Sequence, residues 1–186
     1  MAGRIPLTLT NAMTTEPERP TDSNASVALP LGRIEGRIAF EDTIRLATEQ
    51  AGVLGWQTMW WMDLDFADWP LGERRMEAAL QAWSKTGRRM VLMAQSYDKL
   101  IARHHRFVMW RRQWAHIIEC WVCPSADPSV FPSGILSPHW AMRRIDRDHH
   151  IAQAFNEPAR ILALHELRNE WQEKSAHGFP ATVLGL

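Results

Sequence analysis

Two cysteines in 186 residues are too few for a disulfide scaffold, so a reducing cytoplasm is the natural setting. No run approaches the roughly 18 apolar residues that a membrane helix needs, and no membrane partner is expected. Behind Arg4 there is no apolar stretch of signal-peptide length. A surplus of one charge is missing too. Against 21 acidic residues stand 21 basic ones, so overall electrostatics favour neither nucleic acid nor an acidic membrane, and any basic surface has to be local. No repeat of roughly 20 to 50 residues is visible, which excludes a solenoid. Tyrosine is nearly absent, with one residue against ten tryptophans. Such large rings imply either a tryptophan-heavy core or a self-association surface and, with the latter, a homodimer.

What is present reads as one α/β domain. Length and a 46% hydrophobic content suit a single buried core. Residues 1–30, rich in Thr, Pro, Ser and Asn, read as a disordered leader, and 31–186 as the domain. "GRIEGRIAF" (32–40) opens it as a strand-like entry, and a helix follows with Ile44, Leu46, Ala47 and Ala51 on one stripe and Asp42 as N-cap. "WQTMWWM" (56–62) is a buried strand. "ERRMEAALQAWSKTG" is a helix closed by Gly87, and "RRMVLMAQ" (88–95) is a second strand. Residues 97–114 read as one helix and 115–123 as a third strand. A Pro/Ser/Asp loop comes next, then a hairpin turning at Asp146-Arg147-Asp148. The closing helix has Pro158 in its first turn and Ile161, Leu164, Leu167 and Trp171 as its core face. Strands alternating with helices predict a mainly parallel sheet flanked by helices.

The densest polar stretch is "SPHWAMRRIDRDHH" (137–150). Read as a strand, it puts His139, Ala141 and Arg143 on one face and Trp140, Met142 and Arg144 on the other. The spacing His139, two residues, four residues "MRRI", then Asp146 resembles the His-x-Lys-x4-Asp motif of the phospholipase D-like superfamily. The order of elements over roughly 34–175 agrees with a single half of that fold, ending in a C-terminal hairpin and helix. Alanine at 141 replaces the lysine, and "RDHHIAQAF" lacks the family's following Gly-Ser. The resemblance implies a histidine that attacks phosphorus, a lysine and a second motif that hold the phosphate, and a dimer to bring two halves together. Losing the cation where charge concentrates costs several powers of ten in rate. The expectation is therefore a non-catalytic binding or scaffolding domain that needs no cofactor. The alternative is a dimeric phosphodiesterase using His139 and Asp146, with Arg143 as substitute cation, although arginine differs from lysine in reach and shape.

Three other stretches carry candidates. "DLDFAD" places Asp63, Asp65 and Asp68 after a strand; Asp63 and Asp65 suit Mg²⁺ in a phosphatase, while a solvated loop with Asp68 capping the next helix is the plainer reading. "CWVC" (120–123) has redox spacing but lies on a strand, where positions three apart face opposite ways, so ordinary buried cysteines are expected. The run 97–114 carries Arg103, Arg106, Trp110 and Arg111 as a basic, aromatic helix stripe. Such a stripe suits a phosphate backbone and base stacking, which makes nucleic acid or another anion the partner it would take, although the plainer reading is a solvated face.

Overall fold

A computed structural model of the chain describes residues 27–87 and 89–179. The expected leader falls outside the described residues except for 27–30. There Leu29 packs on the core, and the Pro30 carbonyl accepts a hydrogen bond from the Trp140 indole at 3.0 Å. The elements are β1 (Gly32–Ile34), α1 (Arg37–Val53), β2 (Thr58–Met62), α2 (Arg74–Ser84), β3 (Arg89–Ala94), α3 (Asp98–Arg103), α4 (His105–Gln113), β4 (Ile118–Val122), β5 (Gly134–Leu136), β6 (Ala141–Asp146), β7 (Ile151–Phe155), α5 (Pro158–Glu173) and β8 (Ala176–His177). They build one sheet of eight strands in the order β1-β7-β6-β5-β2-β3-β4-β8.

The sheet is mixed, not mainly parallel. Only β2-β3 and β3-β4 pair in parallel; the other five described pairings are antiparallel. The α/β alternation up to β4 imposes crossovers and parallel strands. The chain then passes through a loop without a helix and meanders through β5, β6 and β7, and tight turns reverse the direction.

Strand parity divides the core in two. Met59 and Trp61 of β2 with Met90 and Leu92 of β3 face α1 to α4, together with Phe40, Ile44, Met76, Leu80, Trp83, Phe107 and Trp110. Trp60, Met62, Val91 and Met93 face the other way, against Phe131 and against Ile161 and Leu164 of α5. Seven tryptophans are buried, and Trp114, Trp121 and Trp171 pack partly buried against one layer or the other. The tryptophans thus form core, not a self-association surface. Both cysteines are buried and free.

Several local expectations change. The first helix begins at Arg37 after Gly36, so Asp42 lies inside it and pairs with Arg45 at 2.7 Å instead of capping. The run 97–114 is two helices, because His104 leaves the helical region (φ −119°, ψ 55°). Gly134, at φ 152°, lies so close to β6 that a Cβ would fall inside the Met142 carbonyl. No described helix is long and apolar enough to cross a membrane.

Candidate functional site

β2 ends at Met62, and the next residue, Asp63, is fully buried. One carboxylate oxygen accepts the backbone N–H groups of Asp65 (3.1 Å) and Phe66 (3.0 Å) and a guanidinium N–H of Arg147 (3.1 Å). The other accepts the Ser133 hydroxyl at 2.5 Å. Both carboxylate oxygens are therefore engaged within the fold, which leaves neither free to hold a ligand. Asp65 turns to Lys99 (2.8 Å) and to the Ala67 N–H (3.0 Å); burial alone would raise its carboxyl, but Lys99 and this backbone bond hold it below the ordinary range. Asp68 does not cap α2, whose N-cap is Glu73. It accepts a 2.6 Å bond from Arg144 and lies 3.3 Å from His150. Asp63 and Asp65 thus serve different partners and do not present a paired carboxylate site. Among the described residues no group of three or more His, Cys, Asp or Glu is arranged to hold a metal ion.

Arg144 is buried on the inner face of β6, as the strand parity requires. Its guanidinium lies 4.5 Å above the Phe40 ring, bonds Asp68 and the Arg147 carbonyl (2.9 Å), and stands 4.0 Å from Asp63. Ser133, Arg144, Arg147 and His150 are the partners that sequence reasoning missed. The available signal was parity, since an arginine sharing a face with Met142 needs a buried acid, and the "DLDFAD" aspartates stood at the end of the neighbouring part of the sheet.

The residues of the phospholipase-like motif separate. His139 precedes β6, in the exposed turn joining it to β5, while Arg143 is mid-strand on the outer face. Asp146 closes the strand and binds the exposed His149 (2.9 Å), whose pKa it raises by hydrogen bond and charge. His139 and Asp146 therefore flank opposite ends of one strand and do not converge on a common phosphate.

The basic stripe is also divided. Trp110 and Arg111 turn inward: Trp110 packs on Phe107, and Arg111 bonds the Cys120 sulfur (3.1 Å) and the Phe179 carbonyl. Neither is available to a ligand, which corrects the expectation for these two. Arg103 and Arg106 remain exposed. Arg103 donates to the Ala67 carbonyl (3.3 Å) and Arg106 to the Gly72 carbonyl (3.1 Å), and together with His105, Met109 and Glu77 they line a cleft of about 430 Å³.

On the opposite face of the sheet, α5, the 128–133 loop and the outer sides of β6 and β7 enclose a larger groove of about 1500 Å³, into which Arg143 and Arg160 open. No family model and no curated protein matches the sequence. Among solved structures, the chain is similar to TrmBL2, an archaeal chromatin protein described as showing a novel mode of DNA binding. The TM-score is 0.58 at 11% identity, over 78% of this chain and 53% of that one. The chain therefore spans about half the length of TrmBL2, and at that identity the likeness is one of fold.

Proposed function

We propose that the chain is a non-catalytic domain of phospholipase D-like topology that binds nucleic acid across α3 and α4. The observation that carries this reading is the pair Arg103 and Arg106. Each is exposed and anchored through a guanidinium nitrogen to a backbone carbonyl, which fixes the side chain without cancelling its charge. Glu77, 3.8 Å from Arg106, is the nearby acid. His105 lines the same cleft and the exposed Arg112 lies on the same helix, α4; Lys99 of α3 is paired with Asp65 at 2.8 Å, and Asp98 is the sole acid of the run 98–112. Such a surface suits a phosphate backbone, and with Trp110 buried it offers no tryptophan for base stacking, so contacts to phosphate dominate and binding tolerates sequence. The DNA binding stated for TrmBL2 is in line with this reading.

The test is fluorescence anisotropy of labelled single- and double-stranded oligonucleotides over a salt series. Binding should weaken steeply with salt, and Arg103→Ala with Arg106→Ala should lower the slope of log K against log salt by about one per arginine. No binding at low salt, or binding indifferent to both changes, would overturn the reading. So would metal-independent turnover of a chromogenic phosphodiester that disappears in His139→Ala.

A further inference from the structure

We propose that the groove beneath α5 binds a small amphiphilic anion, with a carboxylate or phosphate head on an apolar body. It lies on the opposite face of the sheet from the α3–α4 surface and does not depend on that reading.

The head group is placed by Arg143. Among the described residues the Arg143 side chain has no hydrogen bond or ion pair, and neither has that of Gln153, its direct partner across β6 and β7. Phe155 pairs with Ala141, two residues before Arg143, and so stands diagonally from it on the same face, at about 7–8 Å by sheet geometry. The Arg160 guanidinium lies 4.1 Å over that ring. Two cations and an amide donor thus border one stretch of groove floor. The charges nearby are engaged: Arg147 with Asp63, Asp146 with His149, and Arg160 loosely with Glu157 at 3.6 Å. Asp148 is exposed at the rim and favours a head of modest charge. Arg143 is the cation left over.

The apolar body is placed by the walls. Ile145 is 64% exposed and Val130 57%, yet both line this concavity, with Leu164 and Leu167 of α5. Branched aliphatics in a concave, half-polar groove lose their contact with water only when something apolar covers them. At about 1500 Å³ the groove exceeds the usual range of small-molecule sites, so a body of drug size fits without rearrangement.

The experiment is calorimetric titration with 2-naphthyl phosphate and with 2-naphthoate, alongside inorganic phosphate and neutral 2-naphthol. At least one naphthyl anion should saturate, and which one does identifies the head. Inorganic phosphate and 2-naphthol should bind at least about tenfold more weakly, because each lacks one half of the recognition. Arg143→Gln, an exposed change, should weaken the naphthyl anion by about tenfold or more through loss of a charged hydrogen bond. Val130→Asp should weaken it as well. Arg106→Ala should leave it unchanged, which separates failure here from failure of nucleic-acid binding. The proposal is overturned if neither anion saturates, if either control matches the anions, or if Arg143→Gln binds normally while its circular dichroism is native.

Discussion

Arg144 points inward from β6 beside Met142, and its burial is tolerable because Asp68, the Arg147 carbonyl and the face of Phe40 receive its charge. Removing one partner strands the other. Burial by itself would raise the Asp68 carboxyl, but the hydrogen bond and charge of Arg144, with help from His150 and Arg147, outweigh it and hold the group below its ordinary 3.8. A carboxyl held low in the fold contributes stability above its unfolded pKa and loses it as pH falls through the folded one. Asp68→Asn should therefore cost about 1.5–3 kcal/mol near neutral pH, the range for a hydrogen bond to a charged group. Urea titrations should show that cost shrinking once pH drops below about 3.8. A cost that stays constant into acid would mean that folding does not lower the Asp68 pKa. Little of this network was legible beforehand. "RRIDR" and "DLDFAD" are both visible in the sequence, but their contacts span 76 and 84 residues, and that of Ser133 with Asp63 spans 70, so only the sheet joins them.

At the scale of elements, boundaries set by local chemistry were readable and those set by tertiary contacts were not. Pro158 opens α5 as its residue type dictates, and Gly87 follows α2 with its N–H bonded back to the Trp83 carbonyl, where the Trp83 ring leaves no room for a Cβ. The break between α3 and α4 has no such marker. His104 leaves the helix while its ring reaches the Phe66 carbonyl at 2.9 Å, and Phe66 itself sits at φ 55°. Burial lowers the pKa of His104, the carbonyl bond opposes this, and the charge of Arg103 adds to the lowering. A base whose pKa falls on folding favours the unfolded chain as pH drops from its unfolded pKa, here 6.5, towards the folded value. Stability should decline over that interval, and His104→Gln, which keeps an N–H donor but cannot titrate there, should flatten the curve. Equal slopes for both proteins in thermal melts would exclude His104 as the source. Gly134→Ala addresses a second element boundary. With the Met142 carbonyl in the way, β5 and β6 must move apart, and a loss above about 3 kcal/mol or a failure to fold is expected. A near-native melting temperature would show that the strand pair can yield.

For the whole molecule, α/β character was legible because helix and strand periods alternate cleanly as far as β4. Sheet direction beyond β4 was not, since short strands joined by turns carry the same apolar signal whichever way they pair. β1 shows the difficulty most plainly. It is first in the chain, yet it lies at the far edge beside β7, a placement that no local pattern encodes. The tryptophans were legible as an excess but not as to place, and the place has a consequence. β2 and β3 give alternate residues to both core layers, Trp61 and Leu92 to one and Trp60 and Val91 to the other. Neither layer can come apart without exposing the back of the same strands to water, so the two should melt together. Tryptophan fluorescence, which reports rings from both layers, and far-UV circular dichroism should give coincident urea transitions, with acrylamide quenching weak before the transition and strong after it. Separate midpoints would mean that α5 and its groove can open while the α1 to α4 layer stays closed, and the two faces would then be independent in stability.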